Sequence, residues 1–142
     1  NVNAATDSCV MREEGFRSAF EGKGFEILET QYGEGQVDKS QQIATNYITE
    51  GCVGIFGTNE GSTVGVGNAI AEAGGKVVGV GFDKSDAVLQ HIKNGNLLCA
   101  MAQNPYVMGY EGMKSAKLVL DGGEISQKIV DTGVSVIDKN TK

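Results

Sequence analysis

The sequence is poor in the residues that build disulfide frameworks, metal sites and membrane spans. It contains three cysteines (Cys9, Cys52 and Cys99), one histidine, one proline and no tryptophan. Three scattered cysteines without a C-x-x-C pair do not form a disulfide framework, and together with one histidine they do not form a Cys/His zinc site. No apolar run approaches the roughly 20 residues of a membrane-spanning helix. We therefore expect one globular domain with its own hydrophobic core and without a metal or cofactor.

Basic residues are also scarce. The 142 residues include 12 lysines and arginines against 18 aspartates and glutamates, so the net charge is −6. Binding to nucleic acid depends on clustered positive charge that neutralises phosphates. An acidic chain without such a cluster is therefore not expected to have a nucleic-acid partner.

Glycine is abundant, with 21 residues, and it punctuates short apolar segments that alternate with helical patterns. Predicted helices cover 7–22, 38–50, 60–73, 85–93 and 105–120, and predicted strands cover 25–31, 53–57, 76–82, 97–102 and 129–136. This alternation predicts an α/β fold, an open parallel sheet with helices on both faces. The same pattern expects a strand before the first helix, so we expect the sequence to begin inside a larger protein.

Polar side chains follow the predicted strands at the points where the strands end. These are Asn59, Asp83 and Gln103, while Arg12 lies early in the first helix. Because ligands of open parallel sheets bind at the carboxyl ends of the strands, we expect these four side chains to converge. A carboxylate, a guanidinium and two amides suit the hydroxyls of a neutral polyol. The alternative is that Asn59 and Asp83 cap helices and that Arg12 pairs with a surface glutamate.

Aromatic residues adjoin two of these positions. Phe82 precedes Asp83 and Tyr106 follows Gln103, so both are candidates for stacking against a sugar ring. The glycine-rich segment 61–67 lacks the spacing of a phosphate-binding loop, and we expect its glycines to permit close packing of a helix on the sheet. Neither a catalytic set nor an activated nucleophile is evident, and the chain is not expected to be an enzyme.

Four segments carry a resemblance in their order and spacing: 12–17 (REEGFR), 55–60 (IFGTNE), 78–83 (VGVGFD) and 102–105 (AQNP). They resemble segments of periplasmic sugar-binding proteins related to ribose-binding protein, which have the type I periplasmic binding protein fold. The segment 12–17 resembles their R-x-x-G-F motif, and 55–60 resembles their strand that ends in Asn-Asp/Glu. The segment 78–83 matches their V-G-F-D signature, and 102–105 resembles their Q-x-P hinge. The similarity covers nearly the whole chain.

The resemblance implies a role for each matching residue. The positions that hydrogen-bond sugar hydroxyls in the family correspond to Arg12, Asn59, Asp83 and Gln103. The family often has a stacking aromatic residue in the loop after the first strand of this lobe. Here the aligned residue is Gly35, with Tyr32 a little upstream as a further stacking candidate.

The resemblance also implies an organisation and a function. Residues 1–142 would be the carboxyl-terminal ligand-binding lobe, and segment 105–124 would cross to an amino-terminal lobe. The protein would bind a monosaccharide between the lobes and deliver it to an ABC transporter permease. Its location would be periplasmic or extracellular, with a lipid anchor in the amino-terminal part as one form of attachment. Without the other lobe, the helix 105–121 would be exposed and could form a homodimer.

Two alternatives stay open. The effector-binding core of a LacI-type transcription regulator shares this fold, and its helix-turn-helix would lie outside the chain. An enzyme of the flavodoxin or dehydrogenase type is the third interpretation, although a phosphate fingerprint is lacking.

Overall fold

The computed structural model describes residues 1–141, in which five helices and four strands alternate for most of the chain. The elements are α1 (Asp7–Phe20), α2 (Val37–Thr49), β1 (Gly54–Phe56), α3 (Glu60–Glu72), β2 (Val78–Phe82), α4 (Asp86–Asn94), β3 (Cys99–Gln103), α5 (Pro105–Leu120) and β4 (Val134–Asp138). The sheet order is β1-β2-β3-β4, and the first three strands are parallel. The predicted α/β fold with a mainly parallel sheet is therefore confirmed.

The last strand differs from the expected all-parallel arrangement because β4 runs antiparallel to β3. Gln103, the last residue of β3, pairs with Val134, the first residue of β4. The chain thus re-enters the sheet beside the carboxyl end of β3, and from this point β4 can only run back along β3 in the opposite direction.

The hydrophobic core lies between α3, α4 and one face of the sheet. Ile70, Val88 and Leu97 are among the largest fully buried side chains, and they belong to one continuous cluster. On the two central strands the residues that face this cluster are small, with Gly79 and Gly81 in β2 and Ala100 and Ala102 in β3. Small residues on the strands let α3 lie close to the sheet.

Glycines also bring α3 close to its neighbours, as the glycine-rich segment predicts. A Cβ built on Gly65 would lie 2.7 Å from the backbone of Val37 and Gln41, so α3 contacts α2 here almost backbone to backbone. A Cβ on Gly67 would lie 2.5 Å from the ring of His91 in α4. The closest neighbours of these two glycines are therefore helices and not the sheet, although close packing is the correct explanation.

The opposite face of the sheet is contacted by α1. Phe16 stacks on Phe56 of β1 with ring centroids 5.0 Å apart, and the Arg12 guanidinium lies 3.8 Å above the ring of Phe82 in β2. Helices therefore pack on both faces of the sheet, as expected.

The predicted strand 25–31 is wrong. This segment does not join the sheet, and a cavity of about 760 Å³ is lined by both the segment and β1. A strand needs a neighbouring backbone within hydrogen-bonding distance, and the cavity keeps β1 too far away. Side chains hold the segment instead: Tyr47 donates to the Glu29 carbonyl at 2.6 Å, and Arg17 donates to the Leu28 carbonyl at 3.2 Å.

Helix α5 differs from the other helices because none of its sixteen residues is buried. Its apolar side chains include Tyr106, Met113 and Leu120, which are 72–86% exposed. Across residues 1–141, none of the helices combines the length and the apolar composition needed to cross a membrane.

Candidate ligand-binding site

The candidate site lies at the edge of the sheet where β1, β2 and β3 end. In the parallel register Phe56 pairs with Val80 and Phe82 pairs with Met101, so the three strands finish near one another. Asn59 and Asp83 follow β1 and β2, while Gln103 is the last residue of β3. This is the edge at which ligands bind in open parallel sheets.

Asn59 is the N-cap of α3, as the alternative interpretation predicts. Its Oδ1 accepts the backbone N–H of Ser62 at 3.0 Å, and the Ser62 hydroxyl lies 2.6 Å from the same oxygen. The Asn59 N–H donates back to the Ser62 hydroxyl, which completes a capping box. Because Oδ1 is held by Ser62, the Nδ2 group, which has no hydrogen-bond partner among residues 1–141, is the part of Asn59 that can donate to a ligand. Capping and ligand binding are therefore compatible.

Asp83 has the left-handed backbone conformation, with φ of 75°. Aspartate tolerates this region better than most residues, and the conformation turns the chain out of β2. Oδ2 accepts the backbone N–H of Glu60 at 3.0 Å, and Oδ1 accepts Nε2 of Gln103 at 3.2 Å. Asp83 does not cap α4, whose N-cap is Ser85. The carboxylate instead joins the start of α3 to the end of β3.

Arg12 reaches the same edge from α1. Its Nη1 donates to the Thr58 carbonyl at 2.8 Å, and its guanidinium lies over the ring of Phe82. A cation held over an aromatic ring is stabilised by the ring's electron density. The alternative, in which Arg12 pairs with a surface glutamate, is wrong, because Arg12 contacts Thr58 and Phe82 and the nearby Glu13 binds Arg17. Arg12 is thus fixed between the residues that precede Asn59 and Asp83.

The three stacking candidates differ in position. Phe82 lies within the site, where one face of its ring is covered by Arg12 and its edge contacts Phe56. Tyr106 is 79% exposed and stacks on Tyr110 of its own helix. Tyr32 is 42% exposed. None of the hydrogen bonds or aromatic contacts among residues 1–141 joins Tyr32 or Tyr106 to the four polar residues, whereas Gly35 lies beside Asn59 Nδ2.

Sequence reasoning missed the residues that hold the site in place. Ser62 orients Asn59, and Thr63 bridges the ends of β1 and β2 through its hydroxyl. Both side chains are buried polar groups with hydrogen-bond partners. The signal for Ser62 was available, because a cap residue followed three positions later by a second polar residue is typical of reciprocal capping. The signal for Thr63 was absent, since its partners lie in other elements.

The site supplies a mixed set of hydrogen-bonding groups. Arg12 and Asn59 present donors, Asp83 presents an acceptor, and the Gln103 amide can present its oxygen because its nitrogen is used by Asp83. Arg12, Asn59 and Asp83 are half-buried and Gln103 is exposed, so a ligand could reach all four. Within the described part of the chain, no cluster of histidine, cysteine, aspartate and glutamate is placed to hold a metal ion.

Comparison with known families finds a match to the periplasmic binding protein domain over residues 1–124. The ribose import binding protein RbsB of Haemophilus influenzae is 30% identical over 128 residues, which are 89% of this chain and 44% of that protein. The Escherichia coli ribose import binding protein RbsB is 28% identical over 128 residues, 88% of this chain and 43% of that protein. The chain therefore spans less than half the length of these two ribose import binding proteins.

Solved structures give the same result. A carbohydrate transporter solute-binding protein from Agrobacterium radiobacter, in complex with D-arabinose, is 35% identical with a TM-score of 0.84; the match covers 92% of this chain and 46% of that one. An ABC transporter solute-binding protein from Agrobacterium vitis, bound to α-D-tagatopyranose, is 32% identical with a TM-score of 0.87, covering 93% and 46%.

Proposed function

The chain belongs to the periplasmic binding protein family, and on that premise we propose that it is the carboxyl-terminal lobe of the solute-binding component of a sugar ABC transporter. The ligand is a monosaccharide, bound without covalent chemistry in the cleft between this lobe and an amino-terminal lobe. The observation that carries the proposal is the position of the Asp83 carboxylate, which is held at the carboxyl edge of the sheet between Glu60 and Gln103.

The hydrogen-bonding groups of the site suit a neutral polyol. Each Asp83 oxygen accepts one bond from within the chain and keeps a further lone pair for a ligand. A sugar hydroxyl can donate to this carboxylate and accept from Arg12 or Asn59 Nδ2 at the same time. Adjacent hydroxyls on a sugar ring therefore satisfy both the acceptors and the donors of the site. A ligand that only donates or only accepts hydrogen bonds would leave one of the two sets without a partner. Phe82 adds apolar surface, and Tyr32 and Tyr106 are further candidates for stacking against the ring.

Two surfaces support the two-lobed organisation. Helix α5 has no buried residue although it carries exposed apolar side chains, and we propose that segment 105–124 crosses to the amino-terminal lobe and packs there. The cavity between the segment 25–31 and β1 is mostly lined by apolar surface, which the described residues leave uncovered. Polypeptide from the rest of the protein would fill it. Self-association of this chain through the helix 105–121 stays a prediction.

Transport follows from the proposed architecture. Closure of two lobes around a ligand is a hinge motion that changes the outer surface of the protein. The closed form would dock on the permease, in the periplasm or at the cell surface. The effector-binding core of a LacI-type regulator is the alternative function, and specific binding of operator DNA by the full-length protein would favour it.

The experiment is calorimetric titration of the full-length protein with a panel of pentoses and hexoses, followed by Asp83 variants. Asp83→Ala also loses a residue that tolerates φ of 75°, so it mixes a backbone effect with the loss of charge. Asp83→Asn keeps that tolerance, removes the charge and replaces one of the two acceptor oxygens by an N–H donor. Because hydrogen bonds to charged groups contribute about 1.5–3 kcal/mol, we expect Asp83→Asn to weaken binding about tenfold or more.

The matched control is Asp86→Asn, which removes a carboxylate from the exposed first turn of α4. Its affinity should equal that of the wild type. Unchanged affinity in Asp83→Asn, or turnover of any sugar in the panel, would contradict the proposal.

A further inference from the structure

The hydroxyl of Thr63 occupies the place of a hydrogen bond that the sheet would otherwise make. The last backbone bond between β1 and β2 runs from the Gly57 N–H to the Val80 carbonyl. The next donor along β2 is the N–H of Phe82, and it donates to Thr63 Oγ1 at 2.9 Å. The same oxygen lies 3.3 Å from the Gly57 carbonyl, which would be the acceptor if the ladder continued. The threonine hydroxyl is thus inserted between the two strand ends.

This insertion separates β1 from β2 where the candidate site begins. Two strands joined by a direct N–H to carbonyl bond lie about 4.8 Å apart, whereas an intervening hydroxyl adds a second hydrogen-bond length. Phe82 and Gly57 are therefore held apart at the positions that lead directly to Asp83 and to Asn59.

Thr63 is bonded to both sides of the separation. Oγ1 lies 2.7 Å from the Asn59 carbonyl, to which it donates, while it accepts from Phe82. The buried oxygen Thr63 Oγ1 therefore links Asn59 to Phe82, the residue that precedes Asp83. The side chain is 0% exposed, so water cannot replace either bond.

The neighbouring glycines leave room for nothing larger. A Cβ built on Gly81 would lie 2.2 Å from Thr63 Oγ1, and a Cβ on Gly57 would lie 2.6 Å from the Thr63 nitrogen. Both strands therefore contact Thr63 through backbone atoms, and the strand ends cannot shift toward it without a clash. Such contacts on both sides fix the threonine and transmit any change in it to both strands.

We infer that Thr63 is a positioning residue that sets the distance between Asn59 and Asp83 through its hydroxyl, and so adjusts the ligand-binding cleft without contacting the ligand. The inference rests on the proposed function, since the groups it positions are those of the proposed sugar site. Thr63 lies in α3 one helical turn after Asn59, behind the proposed cleft.

The test compares three variants of the full-length protein. Thr63→Val keeps the shape and removes the hydroxyl, Thr63→Ser keeps the hydroxyl and removes the methyl group, and Thr63→Ala removes both. We expect Thr63→Val to weaken sugar binding about tenfold, which corresponds to about 1.4 kcal/mol, and Thr63→Ser to bind within about twofold of the wild type. Hydrogen exchange should accelerate at the Phe82 amide in Thr63→Val and stay slow in Thr63→Ser.

If Thr63→Val does not fold, the comparison of Thr63→Ser with Thr63→Ala carries the test, because these two differ only by the hydroxyl. Equal loss of affinity in Thr63→Ser and Thr63→Ala would assign the effect to packing and overturn the inference. Wild-type affinity in Thr63→Val would also overturn it.

Failure of the proposed function has a separate signature. If the wild type binds none of the sugars, the amide chemical shifts of Asn59 and Asp83 still test the positioning role. Both should move in Thr63→Val and return in Thr63→Ser, and unchanged shifts in Thr63→Val would refute the role.

Discussion

The two sides of β1 are held by different forces. On one side, β2, β3, α3 and α4 enclose a continuous cluster of buried apolar residues centred on Ile70 and Leu97. On the other side, the segment 25–31 faces β1 across a cavity of about 760 Å³, and Phe25 is 58% exposed. We call these the packed side and the open side. Apolar burial stabilises the packed side, whereas the open side is held by individual polar bonds and by the contact of the Phe25 ring with Phe20.

Glu13 is the centre of the polar bonds on the open side. Its carboxylate accepts from Arg17 Nε at 2.8 Å, from Asn1 Nδ2 at 2.9 Å and from the Thr30 hydroxyl. This carboxylate therefore joins helix α1 to Asn1 and to the segment 25–31. The comparison shows that residues of similar secondary-structure propensity can be fixed either by a shared core or by a few directed contacts.

The largest expected effect contrasts one apolar residue from each side. Ile70→Ala removes a fully buried side chain, and we expect it to lower the free energy of unfolding by about 2–5 kcal/mol. Phe25→Ala removes a larger side chain from the open side, yet it should cost about 1 kcal/mol or less because the ring is mostly exposed. Urea unfolding of both variants measures the two losses in the free energy of unfolding, provided that the m-value stays equal to that of the wild type. Equal costs would abolish the distinction between the two sides.

A smaller effect is expected when one polar bond of the open side is removed. Tyr47→Phe loses the hydroxyl that donates to the Glu29 carbonyl at 2.6 Å but keeps the ring, which packs against the core cluster. We expect a loss of about 0.5–1.5 kcal/mol, together with faster hydrogen exchange confined to the segment 25–31. Tyr32→Phe is the control, since the Tyr32 hydroxyl has no hydrogen-bond partner among residues 1–141. Faster exchange throughout the packed side would show that the two sides unfold together.

The smallest expected effect depends on pH. Burial opposes ionisation of Glu13, but hydrogen bonds from Thr30, Arg17 and Asn1 outweigh it and hold the pKa of this carboxyl below its ordinary value. A lowered pKa in the folded state stabilises the protein above the unfolded pKa, and the stabilisation is lost as the pH falls through the folded pKa. Glu13→Gln should therefore cost about 1 kcal/mol or less at pH 7 and nothing at a pH below the lowered folded pKa, where the Glu13 carboxyl is protonated in both the folded and the unfolded state.

The control for this pH dependence is Glu14→Gln, because Glu14 lies beside Glu13 on the exposed surface of α1. The melting temperature should be measured as a function of pH for both variants. Only for Glu13→Gln should its difference from the wild type disappear as the pH falls. A constant difference between Glu13→Gln and the wild type at all pH values would contradict the assignment of the shift to these bonds.

The packed side was largely predictable from the sequence and the open side was not. Apolar segments such as 76–82, flanked by glycine, predict buried parallel strands, because helices cover both faces of a parallel sheet and its strands are therefore apolar. The segment 25–31 has an equally good strand pattern, but strand formation also requires a neighbouring backbone, which local sequence does not reveal. The reversed direction of β4 likewise depends on where the chain returns to the sheet.

The positions of the candidate ligand-binding residues followed from topology. Once the strands were predicted, the rule that ligands bind at their carboxyl ends placed Asn59, Asp83 and Gln103 at one edge. Their orientation was not predictable, because it depends on Ser62 and on the contact between Arg12 and Phe82, which come from separate elements. Residues that contact a ligand follow the topology, whereas residues that orient them depend on tertiary packing.

The isolation of α5 has a consequence for proteolysis. Lys114 and Lys117 have side chains that are 65% and 76% exposed, on a helix with no buried residue to resist local opening. A trypsin-like protease should therefore cut this chain there before it reaches the core. The cut would not release the carboxyl-terminal piece, because β4 pairs with β3 through five residues and buries Ile137 in the core. The nicked chain would remain a folded, non-covalent assembly of two fragments.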